Sequence, residues 1–86
     1  RMGMIYQVLD DQNFLEKAEK IAMTLANMPT KALWYTKHLL NLSMTNDLDQ
    51  QLEMEKEYQF KSTQTFDNKE GILAFIEKRK PSFKGE

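Results

Sequence analysis

Residues 70 to 85 read Glu70-Gly71-Ile72-Leu73-Ala74-Phe75-Ile76-Glu77-Lys78-Arg79-Lys80-Pro81-Ser82-Phe83-Lys84-Gly85. Ile72, Phe75 and Ile76 recur at helical spacing and point one way, and Asp67 with Glu70 has the spacing of a capping pair. The residue before a proline is pushed out of the helical region by the pyrrolidine ring, so this helix is predicted to stop before Pro81. Lys78, Arg79, Lys80 and Lys84 then read as a basic helix end, suited to the negative end of the helix dipole. The same residues admit a second use as an anion site. Phe75 lies three residues before Lys78, so both fall on neighbouring parts of one predicted helical face, where a ring stacks on a base while an ammonium meets a phosphate.

Working back from that helix, the polar stretch Ser62-Thr63-Gln64-Thr65 reads as a hinge. Before it, Asp47 and Gln50 have capping-box spacing and lead into Leu48, Leu52, Glu55 and Tyr58, which predicts a helix over roughly residues 48 to 62. Pro29 lacks a backbone donor but suits a first helical turn, so Met28-Pro29 marks a corner, and a helix runs from about Pro29 to Ser43 with Leu33, Thr36 and Leu40 beside Ala32 and Leu39. Asn13 and Glu16 again have capping-box spacing, and Phe14, Ala18, Ile21, Ala22 and Leu25 form one face of a helix ending near Asn27. The predicted fold is all-α, a compact bundle of about four helices over residues 11–86, preceded by a short extended or disordered segment at residues 1–10. In that segment Met4-Ile5-Tyr6-Gln7-Val8-Leu9 favours a strand but has no partner strand in the chain. The abrupt Arg1-Met2-Gly3 start gives the impression of a piece cut from a longer protein. Six methionines are expected to fill gaps in the helical core.

Composition narrows the partners. Across 86 residues, 12 basic and 13 acidic side chains leave a formal net charge of -1, so no global field gathers nucleic acid or an anionic membrane. A hydrophobic content of 41% suits a folded domain. No cysteine is present, which removes disulfides and thiolate chemistry and is compatible with a reducing cytoplasm. The apolar runs fall far short of the roughly 20 residues that span a bilayer, and no signal-peptide pattern precedes them.

The residues carry no recognisable catalytic constellation. His38, the single histidine, sits mid-helix beside Leu39 and Leu40 with no triad or metal-ligand spacing around it, and reads as a packing or solvent-edge residue. Glu53 and Glu57 flank Lys56 on a charged, solvated face, while Glu55 points elsewhere. The glycines are too dispersed to cradle a phosphate. Neither a catalytic residue nor a metal ligand is assigned.

The order of short motifs resembles the crotonase superfamily, the enoyl-CoA hydratases and isomerases. Met2-Gly3-Met4-Ile5-Tyr6-Gln7-Val8 is similar to the segment that closes the family's core, and Ala22 through Lys37 to its alanine-rich helix, proline and Thr-Lys pair. Leu48-x-x-x-Leu52-x-x-Glu55, Asp67-x-x-Glu70-Gly71 and Ala74-Phe75-x-Glu77-Lys78-Arg79-Lys80-Pro81-x-Phe83 follow in the family's order, the last being the most specific. Met2 to Tyr6, Ala26 to Lys31 and Leu48 to Leu52 most resemble the ring-epoxyphenylacetyl-CoA isomerases of phenylacetate breakdown. The resemblance implies a cytoplasmic parent enzyme that binds an acyl-CoA thioester, polarises its carbonyl with two backbone amides and moves protons with acidic side chains. Those groups are expected upstream, so the chain alone is expected to be inactive and monomeric. In the parent, the resemblance implies that this helical region builds trimers or hexamers and covers the CoA pocket. It also implies that Phe75 and Lys78 approach the adenine and phosphate end of coenzyme A from a sister subunit.

Two other readings compete with this one. A stand-alone, noncatalytic helical interaction module predicts affinity for a protein partner, and a small four-helix acyl-CoA carrier predicts tight stoichiometric binding by the monomer. A fragment predicts uncovered apolar faces, with Trp34, Tyr35 and Phe83 left exposed or collapsed inward.

Overall fold

The computed structural model describes residues 2–86, and the expectation for Arg1 lies outside them. Four helices follow in order: α1 (Phe14–Ala26), α2 (Thr30–Leu42), α3 (Leu48–Thr63) and α4 (Phe66–Glu77). This is the predicted all-α, four-helix arrangement, with no strand among the described residues. Residues 2–10 lie outside helix and strand, and Met2, Met4, Ile5, Tyr6 and Val8 stand in solvent.

Local chemistry explains the boundaries. Asp47 caps α3 through a complete capping box: its carboxylate accepts Gln50 N–H at 2.8 Å, and the Gln50 side chain accepts Asp47 N–H at 3.0 Å. Pro29 occupies the cap position of α2, as the corner at Met28-Pro29 requires. Asn13 departs from expectation. It adopts the left-handed conformation, φ 63°, which asparagine tolerates, and makes no side-chain cap bond, while its C=O accepts Lys17 N–H at 3.1 Å.

The start of α4 also differs. Thr65, not Asp67, is the cap: its hydroxyl accepts Asn68 N–H at 3.1 Å and donates to Ser62 C=O at 2.8 Å. Gln64 and Thr65 alone separate α3 from α4, so the predicted polar hinge is a two-residue corner. Asp67 and Glu70, released from capping, turn their carboxylates to the C-terminal tail.

α2 packs along α3, and α3 against α4. Aromatic rings carry the first contact. Tyr35 of α2 meets Tyr58 of α3 with centroids 5.2 Å apart, and His38 meets the same ring edge-on at 5.5 Å. The bundle buries little: Ala74 is its buried apolar side chain, with Thr65 and Asp67 beside it as buried polar ones. The radius of gyration, 16.2 Å, exceeds the roughly 12 Å of a closed globule of this length, with residues 2–10 lying outside the helices and the apolar faces of the helices left open. The methionines accordingly do not fill a core. Met2, Met4, Met23, Met28 and Met44 are exposed, while Met54 is half-buried with Asn46 Nδ2 at 3.2 Å from its sulfur.

Candidate functional site

The residues that the sequence singles out converge on the end of α4 and the tail behind it. α4 closes in a Schellman turn: Lys78 takes the left-handed conformation (φ 55°, ψ 42°), Lys78 N–H donates to Phe75 C=O at 3.3 Å, and Arg79 N–H donates to Ala74 C=O at 3.0 Å. Glycine is the usual occupant of such a position, since a Cβ there crowds the backbone. Lys78 therefore lies one residue beyond the helix, and the expectation that it shares a helical face with Phe75 is corrected. Phe75 stands in the last turn of α4 with 85% of its surface exposed.

Glu70 organises the turn. Arg79 grips its carboxylate with two parallel bonds, Nη1 to Oε2 at 2.7 Å and Nη2 to Oε1 at 2.9 Å, while Arg79 Nε reaches Glu77 Oε2 at 2.6 Å. Ser82 N–H, beyond Pro81, also donates to Glu70 Oε2 at 2.7 Å. The Arg79 guanidinium, and then the Ser82 amide, hold the Glu70 carboxyl down at about 2, well below the usual carboxylate range, and the two acidic partners push Arg79 further up. Both sides of the Lys80-Pro81 corner thus hang on one carboxylate.

A second carboxylate fixes the rest of the tail. Asp67, almost fully buried, accepts Lys84 N–H at 2.7 Å on Oδ1 and Gly85 N–H at 2.8 Å on Oδ2, and its own N–H donates to Glu86 C=O at 3.0 Å. Phe83 is thereby folded inward over Gly71, where a Cβ would stand 3.6 Å from the ring, and Lys84 Nζ sits 4.5 Å from the centre of the Phe66 ring. Gly85, with φ +74°, passes so close to α2 that a Cβ would lie 2.5 Å from Thr30 Oγ1.

In this arrangement the Glu70 and Asp67 carboxylates are taken up by the Arg79 guanidinium and backbone amides, and neither is hydrogen-bonded to a second carboxyl or an imidazole as an acid–base pair would be. His38 is a packing residue, stacked on Trp34 with ring centres 4.9 Å apart and planes 9° from parallel. The charged face of α3 is solvated, and Glu57 pairs with Lys61 at 2.9 Å and raises the Lys61 pKa through that bond. Among the described residues no group of three His, Cys, Asp or Glu side chains could hold a metal ion. Among the described residues no helix is long and apolar enough to cross a membrane. The Glu70–Arg79 clamp and the Asp67 anchor were missed as such by sequence reasoning. Their signal was present, in Asp67 and Glu70 at capping spacing and in Arg79 within the specific motif, but local rules assigned the carboxylates to a helix start.

The chain matches the enoyl-CoA hydratase/isomerase family model over residues 1–86. It is 42% identical over 84 residues to 1,2-epoxyphenylacetyl-CoA isomerase of Escherichia coli K12, covering 98% of this chain and 32% of that protein. A probable enoyl-CoA hydratase of Rhodobacter capsulatus is 35% identical over 85 residues, covering 99% of this chain and 33% of that protein. An enoyl-CoA hydratase structure from Geobacillus kaustophilus HTA426 superposes with a TM-score of 0.86 at 31% identity, over 98% of this chain and 32% of that one. One from Polaromonas sp. JS666 gives 0.84 at 30% identity, over 95% and 32%. The chain spans about a third of the length of these relatives. With the family model matched from end to end and the same helices found in its solved structures, the chain belongs to the enoyl-CoA hydratase/isomerase family.

Proposed function

We propose that this chain is the C-terminal helical region of an acyl-CoA enzyme that hydrates or isomerises its thioester substrate. Residues 1–10 then form the end of a catalytic core and residues 11–86 the helical domain. The observation that carries this reading is the surplus of uncovered apolar surface on a chain whose local structure is otherwise well specified. Phe75, Ile76, Ile72, Phe60, Leu48 and Trp34 are all more than half exposed. Such faces call for protein to cover them, and the core and sister subunits of a trimer or hexamer supply it.

In that setting the end of α4 contributes to the coenzyme A pocket, with Phe75 against the adenine and Lys78 beside a phosphate. The exposure of the Phe75 ring and the lack of an ion pair at Lys78 among the described residues support the assignment. The 42% identity to 1,2-epoxyphenylacetyl-CoA isomerase favours a ring-epoxide thioester and a role in phenylacetate breakdown, with fatty-acid degradation as the wider setting. The enzyme is placed in the cytoplasm. The proton-transfer groups and oxyanion amides are assigned outside this chain.

The complete translation product, assayed with enoyl-CoA and ring-epoxyphenylacetyl-CoA substrates, is expected to turn over one class, and the 86-residue chain neither. Turnover by the chain alone would overthrow the reading. A complete product that neither binds coenzyme A nor acts on these thioesters would return the chain to the class of helical interaction modules.

A further inference from the structure

We propose that Glu70 and Arg79 are positioning residues for the coenzyme A contact, acting through Lys78. The inference rests on the reading of Phe75 and Lys78 as ligand contacts and extends it to the groups that hold the lysine in place.

Lys78 is left-handed without being glycine, a conformation that crowds the Cβ of an ordinary residue and persists only where the surroundings impose it. Its own side chain does not impose it, since no hydrogen bond or ion pair to Lys78 occurs among the described residues beyond its backbone N–H. The constraint comes from the next residue. Arg79 is tied through its backbone to Ala74 and through three guanidinium nitrogens to Glu70 and Glu77, while Ser82 N–H fastens the far side of Pro81 to Glu70 as well.

With Arg79 and Ser82 both pinned, the chain has one way to pass from α4 to the tail, and Lys78 supplies the reversal. The ammonium of Lys78 consequently leaves the turn from a fixed Cα. A flexible four-carbon stem carried on a fixed turn loses less entropy on meeting a phosphate than one on a fraying helix end. Lys80, which flanks the same turn, also has no ion pair among the described residues, so the clamp consumes Arg79 and leaves the lysines unpaired.

A double-mutant cycle on the complete translation product tests this, with coenzyme A as the probe and its dissociation constant read by calorimetry. Lys78→Gly keeps the left-handed turn and removes the ammonium. Arg79→Lys keeps the charge and removes the paired bonds to Glu70. Each single variant is expected to weaken coenzyme A binding about fivefold, and Arg79→Lys is expected to add nothing in the Lys78→Gly background. Should Arg79→Lys fail to fold, Glu70→Gln probes the same pair from the acidic side and enters the same cycle. Additive losses would overturn the proposal, because Arg79 would then act independently of Lys78. Unchanged affinity in Lys78→Gly would refute the ligand reading itself and take the positioning role down with it, an outcome distinct from additivity.

Discussion

Arg79 and Glu70 are joined by two parallel charge-assisted bonds, 2.7 and 2.9 Å, across nine residues of chain. This pair ties the end of α4 back to its second turn and closes the C-terminal corner. Its pH dependence follows from the depressed carboxyl of Glu70. The folded-state value, about 2, lies below the ordinary 4.5, so the unfolded chain binds the proton more readily. The stabilisation is therefore fully present above about 4.5 and is lost as pH falls from there through about 2. Thermal melts across this interval should fall more steeply for the native chain than for Glu70→Gln, which is already weakened at neutral pH. Parallel curves would contradict the assignment.

Asp67 is the deeper of the two anchors, because its carboxylate is buried and both oxygens are used. Asp67→Asn keeps one acceptor and turns an amide N–H₂ toward a backbone N–H. The cost is expected to be about 1–3 kcal/mol, the range for a buried donor left without its partner. The Lys84 and Gly85 amides should then exchange with solvent much faster, while those of α2 stay protected. Equal loss of protection in α2 would show that the tail, through its approach to Thr30, supports more of the bundle than its own anchor.

Lys78→Gly separates stability from binding. Replacing a left-handed lysine by glycine removes the Cβ crowding, and stability should rise by about 0.5–1 kcal/mol, visible as a higher melting temperature. On the proposed function the same variant binds coenzyme A less well. A lower melting temperature would mean that the lysine side chain stabilises the turn directly.

Asn13 and Asp47, which share capping-box spacing to Glu16 and Gln50, should respond differently. Asp47→Ala removes a complete capping box and should cost about 1 kcal/mol. Asn13→Gly should be neutral or mildly stabilising, since Asn13 is left-handed and caps with no side-chain bond. Chemical denaturation of the two variants gives the comparison.

Trp34, the single tryptophan, stacks on His38 in nearly parallel planes, which makes it a local reporter. His38→Leu should change Trp34 fluorescence while leaving helix content intact. A loss of helix content would mean that His38, which also meets the Tyr58 ring, is needed to hold α2 on α3.

The sequence by itself determined the helices, because their signals are local. Apolar spacing, the Asp47-Gln50 box, Pro29 and Pro81 act over a turn or two, and the observed boundaries lie within a few residues of those expected. The family was legible for a related reason, since Ala74 through Phe83 is a contiguous motif. Only the tertiary structure decided what Asp67, Glu70 and Arg79 do. Capping spacing and clamp formation make the same demand on a carboxylate, an N–H donor within reach, and the choice between them depends on where a tail up to 18 residues further along the chain is laid. The same folding-back made Lys78 left-handed and took it off the helical face it was expected to share with Phe75. A helical wheel cannot register that reversal, because it assumes that the helix continues.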